Sequence, residues 1–279
     1  MDLKNLKTRI ITGALYVIIS LALVLINQYT LLAFCIISYV WLTIELKRFI
    51  QRTNIRISLI FPLMIGLFAL LIAFLNIYYN ISFTLFLLMI IPIYGIFIHE
   101  LFILRENSLQ SIAHTLFFLI YPLLPILLTI YLSSGSFYGQ SVNYSPGILV
   151  FTMVQIWIFD SMAYIFGVSL GKHRLYEKVS PKKSWEGFIG GFVITLIIGI
   201  LVGYYSSLII VIDSIFISII VSVFGTFGDL VESLFKRNIN LKDSGNTLPG
   251  HGGLLDRLDS FIFVIPWIFL YFLVKSFII

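Results

Sequence analysis

Charged side chains are scarce in this chain of 279 residues. Lys, Arg, Asp and Glu make up 11% of it, whereas an average soluble domain contains about 25%. Hydrophobic residues make up 59%, and the mean hydropathy is +1.04. This shortage of charge excludes a soluble globular protein and predicts a protein that crosses a membrane several times.

Cysteine is nearly absent as well, because Cys35 is the only one in the sequence. A single cysteine excludes a disulfide bond within the chain. The pI of 9.2 suggests nucleic acid as a partner, but the cations lie in short loops between apolar segments, where they act as topology signals. We therefore expect no nucleic-acid partner.

Nine apolar segments are long enough to cross a bilayer at about 20 residues each. They lack the alternating polarity of barrel strands, and helices pair every backbone amide within lipid. We expect an all-α polytopic membrane protein with about nine transmembrane helices. The segments lie at roughly 9–28, 30–49, 57–76, 82–103, 110–132, 147–168, 186–206, 213–235 and 259–278.

The positions of Lys and Arg predict the orientation of these helices. If the N-terminus is cytoplasmic and the segments alternate, every Lys and Arg except Lys275 falls on the cytoplasmic side. This asymmetry favours a cytoplasmic N-terminus and a C-terminus outside. Lys275 stands apart from the other cations, and we expect its replacement by alanine to be nearly silent.

Polar residues are distributed unevenly along the chain. Residues 1–145 contain about five transmembrane segments whose ionised groups lie mainly at their ends or in loops. Residues 146–279 hold most of the polar exceptions, and we expect this part to be the catalytic transmembrane region, with cytoplasmic loops at 170–186 and 236–258. No internal repeat is evident, so the usual sequence sign of an inverted-repeat transporter is missing.

Two acidic residues lie deep in apolar segments. An ionised carboxylate at membrane depth costs about 2.5–3.5 kcal/mol on insertion scales, and such residues usually serve function. Asp160 is expected to line a polar cavity, or alternatively to form a structural ion pair or lie near the wet surface. Asp229 begins a polar stripe with Glu232, Ser233 and Lys236. A helix end that reaches toward water explains Lys236, but it does not explain the deeper Asp229.

Glycines and aspartates crowd the loop before the last segment. Gly252 and Gly253 let the backbone approach a ligand closely, and successive amides can bind an anion. Asp256 and Asp259 are three residues apart and share a helical face. Alone, such a pair is more often a solvated helix start. Together with the neighbouring His-Gly-Gly and Lys-Asp elements, it predicts a Mg²⁺ site, because Mg²⁺ binds one or two carboxylates plus substrate phosphates.

The loop before segment seven contains five cations. Ser180 and Pro181 fit an N-cap and a first helical residue, which would place Lys182 and Lys183 beside a helix N-terminus, a ready anion site. Topology alone also predicts cations here, so a phosphate role for Lys182, Lys183 and Ser184 remains one of two interpretations. Three later glycines are expected to pack against another helix: Gly187, Gly190 and Gly191.

Together these residues resemble the signature of the phosphatidate cytidylyltransferases, or CDP-diacylglycerol synthases. The resemblance covers roughly residues 157–260. It is carried by Asp160-Ser-x-Ala-Tyr164, Gly171-Lys172, Ser180-Pro181-Lys-Lys183-Ser184-Trp185-Glu186-Gly187, Ser233-x-Phe235-Lys236-Arg237, Lys242-Asp243-x-Gly245 and Leu248-Pro249-x-His251-Gly252-Gly253-x-x-Asp256-Arg257-x-Asp259.

The resemblance implies a reaction in which CTP and phosphatidate give CDP-diacylglycerol and pyrophosphate. It implies Mg²⁺ as cofactor, a monovalent cation such as K⁺ as a second ion, and a homodimer. It also implies a multi-pass enzyme of the cell (inner) membrane, with its active site facing the cytoplasm. Two other functions stay open: a CTP-dependent polyprenol or lipid kinase, and a membrane transporter.

The residues expected to carry this reaction fall into three groups. The catalytic candidates are Asp229, Asp256, Lys236, Arg237, Lys242, Asp243, His251 and Arg257. The substrate-binding candidates are Lys172, Lys182, Lys183, Ser184, Ser233, Gly252 and Gly253. The metal-binding candidates are Asp229, Asp256, Asp259 and Asp160.

Overall fold

The structure is a computed structural model that describes residues 3–52, 58–103, 107–135, 144–206, 209–239 and 252–278. Within these ranges the chain is helical apart from one short hairpin and its connecting segments. The helices are α1 Leu3–Leu25, α2 Gln28–Gln51, α3 Ile60–Tyr79, α4 Ile90–Ile103, α5 Ser108–Phe118, α6 Leu124–Leu132, α7 Gly147–Leu170, α8 Trp185–Tyr205, α9 Val211–Asn238 and α10 Leu255–Ile278. The hairpin pairs β1 Arg174–Tyr176 with β2 Ser180–Ser184.

Eight helical segments in the described ranges are long and apolar enough to cross a membrane. Ile11–Leu25 of α1 is a ninth apolar helical stretch, shorter than these eight. Two of the eight are composite, because a 3₁₀ helix at Phe83–Met89 leads into α4, and α5 continues into α6. The predicted all-α membrane protein with about nine such helices is confirmed.

A π-helical turn at Leu119–Leu123 joins α5 to α6. It contains Pro122, which has no N–H to donate and whose ring crowds the preceding turn. The wider turn accommodates the proline without ending the span. The segment Ser108–Leu132 is therefore one continuous stretch, long and apolar enough to cross a membrane.

The chain forms two compact units. The first comprises Met1–Tyr144 and Asp243–Asp256, and the second comprises Ser145–Lys242 and Arg257–Ile279. The first unit thus combines the N-terminal helices with the short segment that leads into α10. The second unit combines α7, the hairpin, α8 and α9 with the greater part of α10.

In the first unit, a tyrosine holds α2 against α3. Tyr39 is fully buried, and its hydroxyl donates a hydrogen bond to the carbonyl oxygen of Pro62 at 2.6 Å. Its ring occupies the space beside Gly66, where a Cβ would lie 2.0 Å from a ring carbon. Small residues that allow such close approach are typical of helix interfaces in membranes.

In the second unit, glycines of α8 bring it close to α7. A Cβ at Gly187 would lie 2.7 Å from the carbonyl oxygen of Ala163, and one at Gly190 would lie 2.3 Å from the ring of Phe166. Gly191 also faces Ala163. The predicted packing role of these three glycines is confirmed.

A buried amide links α7 to α8 and α9. With its oxygen turned toward Ser218, Gln155 accepts from the Ser218 hydroxyl at 3.2 Å and donates to the carbonyl oxygen of Thr195 at 3.2 Å. All three side chains are fully buried. Such interhelical hydrogen bonds stabilise helix association in lipid.

Close packing also joins α9 to α10. A Cβ at Gly228 would lie 2.5 Å from the carbonyl oxygen of Asp259. The Ser260 hydroxyl donates to the carbonyl oxygen of Gly225 at 3.2 Å. Phe224 and Trp267 stack with ring centroids 4.0 Å apart. The two helices are therefore in backbone contact near the start of α10.

An ion pair joins α9 and α10 at their other ends. Lys275 donates to both carboxylate oxygens of Asp213, at 2.6 and 2.7 Å, and the Tyr271 hydroxyl donates to the same carboxylate at 2.7 Å. Asp213 is 1% exposed. Lys275 therefore does not stand apart from the other charged groups, because its ammonium group compensates a buried charge. The contact argues against a silent replacement of this residue.

We predict that Lys275→Ala lowers the melting temperature of the protein in detergent. Removing one partner of a buried pair leaves the other charge uncompensated, at a cost of about 1–3 kcal/mol for a pair that is partly accessible. Asp213→Asn combined with Lys275→Ala should recover part of the loss, since the asparagine side chain carries no charge. If Lys275→Ala has the same melting temperature as the unchanged protein, the ion pair with Asp213 does not stabilise the fold.

Candidate active site

The polar stripe of α9 forms one wall of the candidate site. Asp229, Glu232, Ser233 and Lys236 lie on one face of α9, because their spacing follows the helical repeat. The Asp229 side chain is 35% exposed, whereas that of Glu232 is 1% exposed. The Ser233 hydroxyl donates to Asp229 at 3.4 Å.

Three carboxylates converge here from α9 and α10. Asp229, Glu232 and Asp259 each offer one oxygen, and these oxygens lie within 4.8 Å of one another. Gly228 makes this possible, because the absence of a side chain there lets the backbone of Asp259 approach α9. We call these three residues the acidic cluster.

Two lysines neutralise most of the charge of the acidic cluster. Lys183, on β2, forms an ion pair with the Oδ2 atom of Asp229. Lys236 pairs with the Oε2 atom of Glu232 at 2.5 Å, one helical turn along α9. The hairpin thus contributes a cation directly to the cluster.

Asp160 and Arg257 belong to the same neighbourhood. Asp160, on α7, interacts electrostatically with Lys183, Asp229 and Arg257. Its side chain is accessible at the protein surface. Asp259 in turn interacts electrostatically with Asp229, Asp160 and Lys183. Of the predicted metal-binding residues, the structure therefore brings Asp229 and Asp259 together in the acidic cluster, and Asp160 interacts with both of them electrostatically.

The local fold of the hairpin differs from the prediction. Ser180 and Pro181 do not begin a helix, because they lie on β2, and α8 begins at Trp185. The N-cap is Ser184, whose hydroxyl oxygen accepts the N–H of Gly187 at 3.2 Å. The extended backbone of the strand leads directly into this cap. Lys182 is exposed on the hairpin.

Contacts at both sides hold the hairpin in place. The backbone N–H of Lys172 donates to a Glu186 carboxylate oxygen at 3.0 Å, and the His173 ring nitrogen Nδ1 lies 2.6 Å from the other oxygen. On the opposite side, Arg237 of α9 donates from Nε to the carbonyl oxygen of Val179 at 3.4 Å. Lys172 and Arg237 therefore contribute to the frame that presents Lys183.

Three more of the predicted residues lie at the start of α10, all within the first unit: Gly252, Gly253 and Asp256. Gly252 has a φ of 83°, in the left-handed region that favours glycine. The N–H of Gly253 donates to Asp256 Oδ2 at 2.8 Å. The Asp256 carboxylate thus accepts one of the amides that were expected to bind an anion. Three further predicted residues lie outside the described ranges: Lys242, Asp243 and His251.

Comparison with known proteins identifies the family. Residues 7–276 match the profile of the Cytidylyltransferase family. The chain belongs to this family. A phosphatidate cytidylyltransferase of Bacillus subtilis (strain 168) is 35% identical over 287 aligned positions, covering 98% of this chain and 99% of that protein.

Staphylococcal relatives of the same name align over a shorter region. The protein of Staphylococcus haemolyticus (strain JCSC1435) is 48% identical and that of Staphylococcus aureus (strain COL) is 45% identical, each over 119 residues. These alignments cover 42% of this chain and 46% of each relative.

The acidic cluster fits the divalent metal that cytidylyltransferases generally use. Its three donors are carboxylate oxygens, the ligands that hard divalent cations prefer. Glu232 is a donor that the sequence analysis did not assign to a metal. The signal was its position three residues after Asp229, on the same helical face, but its pairing with Lys236 also fits an ordinary surface ion pair.

We predict that Gly228→Ala disrupts this site and that Gly225→Ala does not. The new methyl group at position 228 would lie 2.5 Å from the carbonyl oxygen of Asp259, whereas at position 225 the nearest atom is 3.7 Å away. Displacing α10 would separate Asp259 from the cluster, and about 1 Å of misplacement can reduce a rate about 100-fold. The test is to measure the steady-state rate of cytidylyl transfer and the melting temperature for both variants. Equal rates would show that the close helix approach is not required.

Proposed function

We propose that this cytidylyltransferase is a phosphatidate cytidylyltransferase, which converts CTP and phosphatidate into CDP-diacylglycerol and pyrophosphate. The observation that carries the proposal is the acidic cluster with its lysines, in a chain that aligns along its length with a relative of that name. A phosphate-handling site on membrane-spanning helices suits one lipid substrate and one water-soluble nucleotide.

The proposed chemistry is transfer of a cytidylyl group. A phosphate oxygen of phosphatidate attacks the α-phosphorus of CTP and forms a new P–O bond. The bond between the α-phosphorus and the oxygen that bridges to the β-phosphate breaks, and pyrophosphate leaves with that electron pair. Because the second pKa of a phosphate monoester is about 6, the attacking oxygen is largely ionised at neutral pH. Positioning and charge neutralisation can therefore carry the reaction without a dedicated base.

The acidic cluster would hold the metal, for which we propose Mg²⁺. When bound, Mg²⁺ neutralises charge on the nucleotide phosphates. Asp160 lies in the same electrostatic group as the cluster, and Asp256 remains a proposed ligand from the start of α10. A monovalent cation such as K⁺ is a further proposal, based on the resemblance alone.

The cations around the cluster would hold the phosphates. Lys183 and Lys236 already lie at the carboxylates, and Arg257 interacts electrostatically with Asp160. Lys172, Lys182 and Arg237 are exposed, and we propose that they bind substrate phosphates as well. Ser184, Ser233, Gly252 and Gly253 are proposed to contact substrate, and Lys242, Asp243 and His251 are proposed to complete the catalytic set.

The protein has multiple membrane-spanning helices, and we propose that they lie in the cell (inner) membrane with the site at the cytoplasmic face. The support is the distribution of Lys and Arg: if the N-terminus is cytoplasmic and the segments alternate, all of them except Lys275 fall on one side. A homodimer is proposed on the resemblance alone.

The direct test is purified protein with labelled CTP, phosphatidate and Mg²⁺. We expect a lipid-soluble cytidine product and stoichiometric pyrophosphate. Release of CDP with a phosphorylated lipid would instead indicate a CTP-dependent lipid kinase. No turnover, with substrate movement across vesicles, would indicate a transporter.

We predict that Asp259→Asn lowers turnover by about 100-fold or more, because it removes a charged ligand. The Asp259 Oδ1 atom accepts the N–H of Ser260 at 2.7 Å, and an asparagine oxygen can keep this bond. The matched control is Glu177→Gln, an exposed carboxylate on the hairpin, which should retain the full rate. A fully active Asp259→Asn enzyme would remove this residue from the metal site.

We also predict that Asp256→Asn abolishes turnover while membrane insertion and melting temperature are retained. An asparagine oxygen can still accept the N–H of Gly253, so the local turn survives and only the charge is lost. Substantial residual activity in the same assay would show that Asp256 is not a metal ligand.

A further inference from the structure

Glu45 is a buried carboxylate that the reaction as described does not use. It lies in the second half of α2, and its side chain is 0% exposed. A carboxylate inside a membrane-spanning helix is costly and needs a specific partner. Its place in an apolar segment was a signal that the sequence analysis did not follow.

The partners of Glu45 lie more than 200 residues further along the chain. Glu45 Oε1 accepts the backbone N–H of Leu254 at 2.9 Å, and Oε2 accepts that of Leu255 at 2.8 Å. Both carboxylate oxygens are therefore engaged at the first turn of α10. All of these residues belong to the first unit.

The N–H groups of Leu254 and Leu255 are ones from which an N-cap side chain normally accepts hydrogen bonds. The first N–H groups of a helix have no intrahelical acceptor and carry partial positive charge. The residues before α10 are Gly252, Gly253 and Leu254, none of which has a side-chain acceptor of the kind found at N-caps. Glu45 supplies this acceptor from another helix.

Carboxylates accept three consecutive amides at this point. Asp256 Oδ2 accepts the N–H of Gly253, and Glu45 accepts the next two. The glycine conformation at Gly252 leaves no room for a Cβ, which would lie 2.3 Å from the same Asp256 oxygen. The Asp256 side chain is thus oriented by its hydrogen bond to Gly253. Glu45 fixes the backbone of the two residues that follow Gly253 in the same turn.

We propose that Glu45 is a positioning residue that fixes the start of α10 and thereby aims the Asp256 carboxylate. The inference rests on the proposed function, in which Asp256 is a metal ligand. Glu45 touches neither substrate nor metal in this role. It acts through the backbone of Leu254 and Leu255, as outer-shell partners act on the ligands of metal sites.

The test compares Glu45→Gln with Glu100→Gln in the full chain. The amide of glutamine keeps the size of the side chain but offers one acceptor oxygen, and its NH₂ group faces a backbone donor. Glu100 is the matched control because it is also a buried carboxylate of the first unit, 4% exposed, and accepts the hydroxyl of Ser111 at 3.0 Å.

We expect Glu45→Gln to reduce turnover or raise the Mg²⁺ concentration for half-maximal activity by about 10–100-fold. Amide hydrogen exchange, measured without Mg²⁺ or substrate, should become faster at residues 253–256. Glu100→Gln should change neither quantity, although it can lower the melting temperature.

The outcomes separate the two proposals. If the unchanged protein does not form CDP-diacylglycerol, the proposed function fails, and hydrogen exchange still reports on Glu45. If the unchanged protein is active and Glu45→Gln shows the same rate, Mg²⁺ requirement and exchange, the positioning role is overturned. If Glu45→Gln and Glu100→Gln alter rate and exchange equally, the role of Glu45 is general stability, which also overturns the inference.

Discussion

A carboxylate at membrane depth persists only where a cation or a set of backbone N–H groups meets it. Four carboxylates in the described part of the chain follow this constraint, three of them with partners from other elements. The pairs are Asp213 with Lys275, Asp229 with Lys183, Glu232 with Lys236, and Glu45 with the amides of Leu254 and Leu255. Apart from Glu232 and Lys236, which both lie on α9, each of these pairs also fixes one element against another.

The same constraint links folding to chemistry. Lys183 and Lys236 compensate the acidic cluster before any ligand arrives, and cations of this kind are suited to phosphate oxygens. The hairpin is central here, because it carries Lys183 from the loop after α7 to the side chain of Asp229. The position of the hairpin depends on Glu186 and Arg237. Glu186 accepts the backbone N–H of Lys172 on one side, and Arg237 donates to the carbonyl oxygen of Val179 on the other. The short β1–β2 hairpin thereby completes a site whose acidic groups lie on membrane-spanning helices.

Much of this arrangement could be predicted from the sequence. The transmembrane helices follow from apolar length, Asp160 and Asp229 follow from charge at depth, and Asp259 follows from its spacing with Asp256. The start of α8 was misplaced, because Ser-Pro fits an N-cap and the five residues of β2 show no alternating pattern. Glu45 and the Asp213–Lys275 pair were missed for one reason. Each partner lies on a distant segment, and a single sequence does not show which helices meet.

The α9–α10 pair is held at both ends of its length. The two aspartates of α9, Asp213 and Asp229, are about 24 Å apart along the axis, and contacts to α10 lie near each of them. Sliding one helix past the other by a single turn, about 5.4 Å, would separate Lys275 from Asp213. The same movement would break the close contact between Gly228 and the backbone of Asp259. Any motion that preserves both contacts must therefore leave these two helices in register.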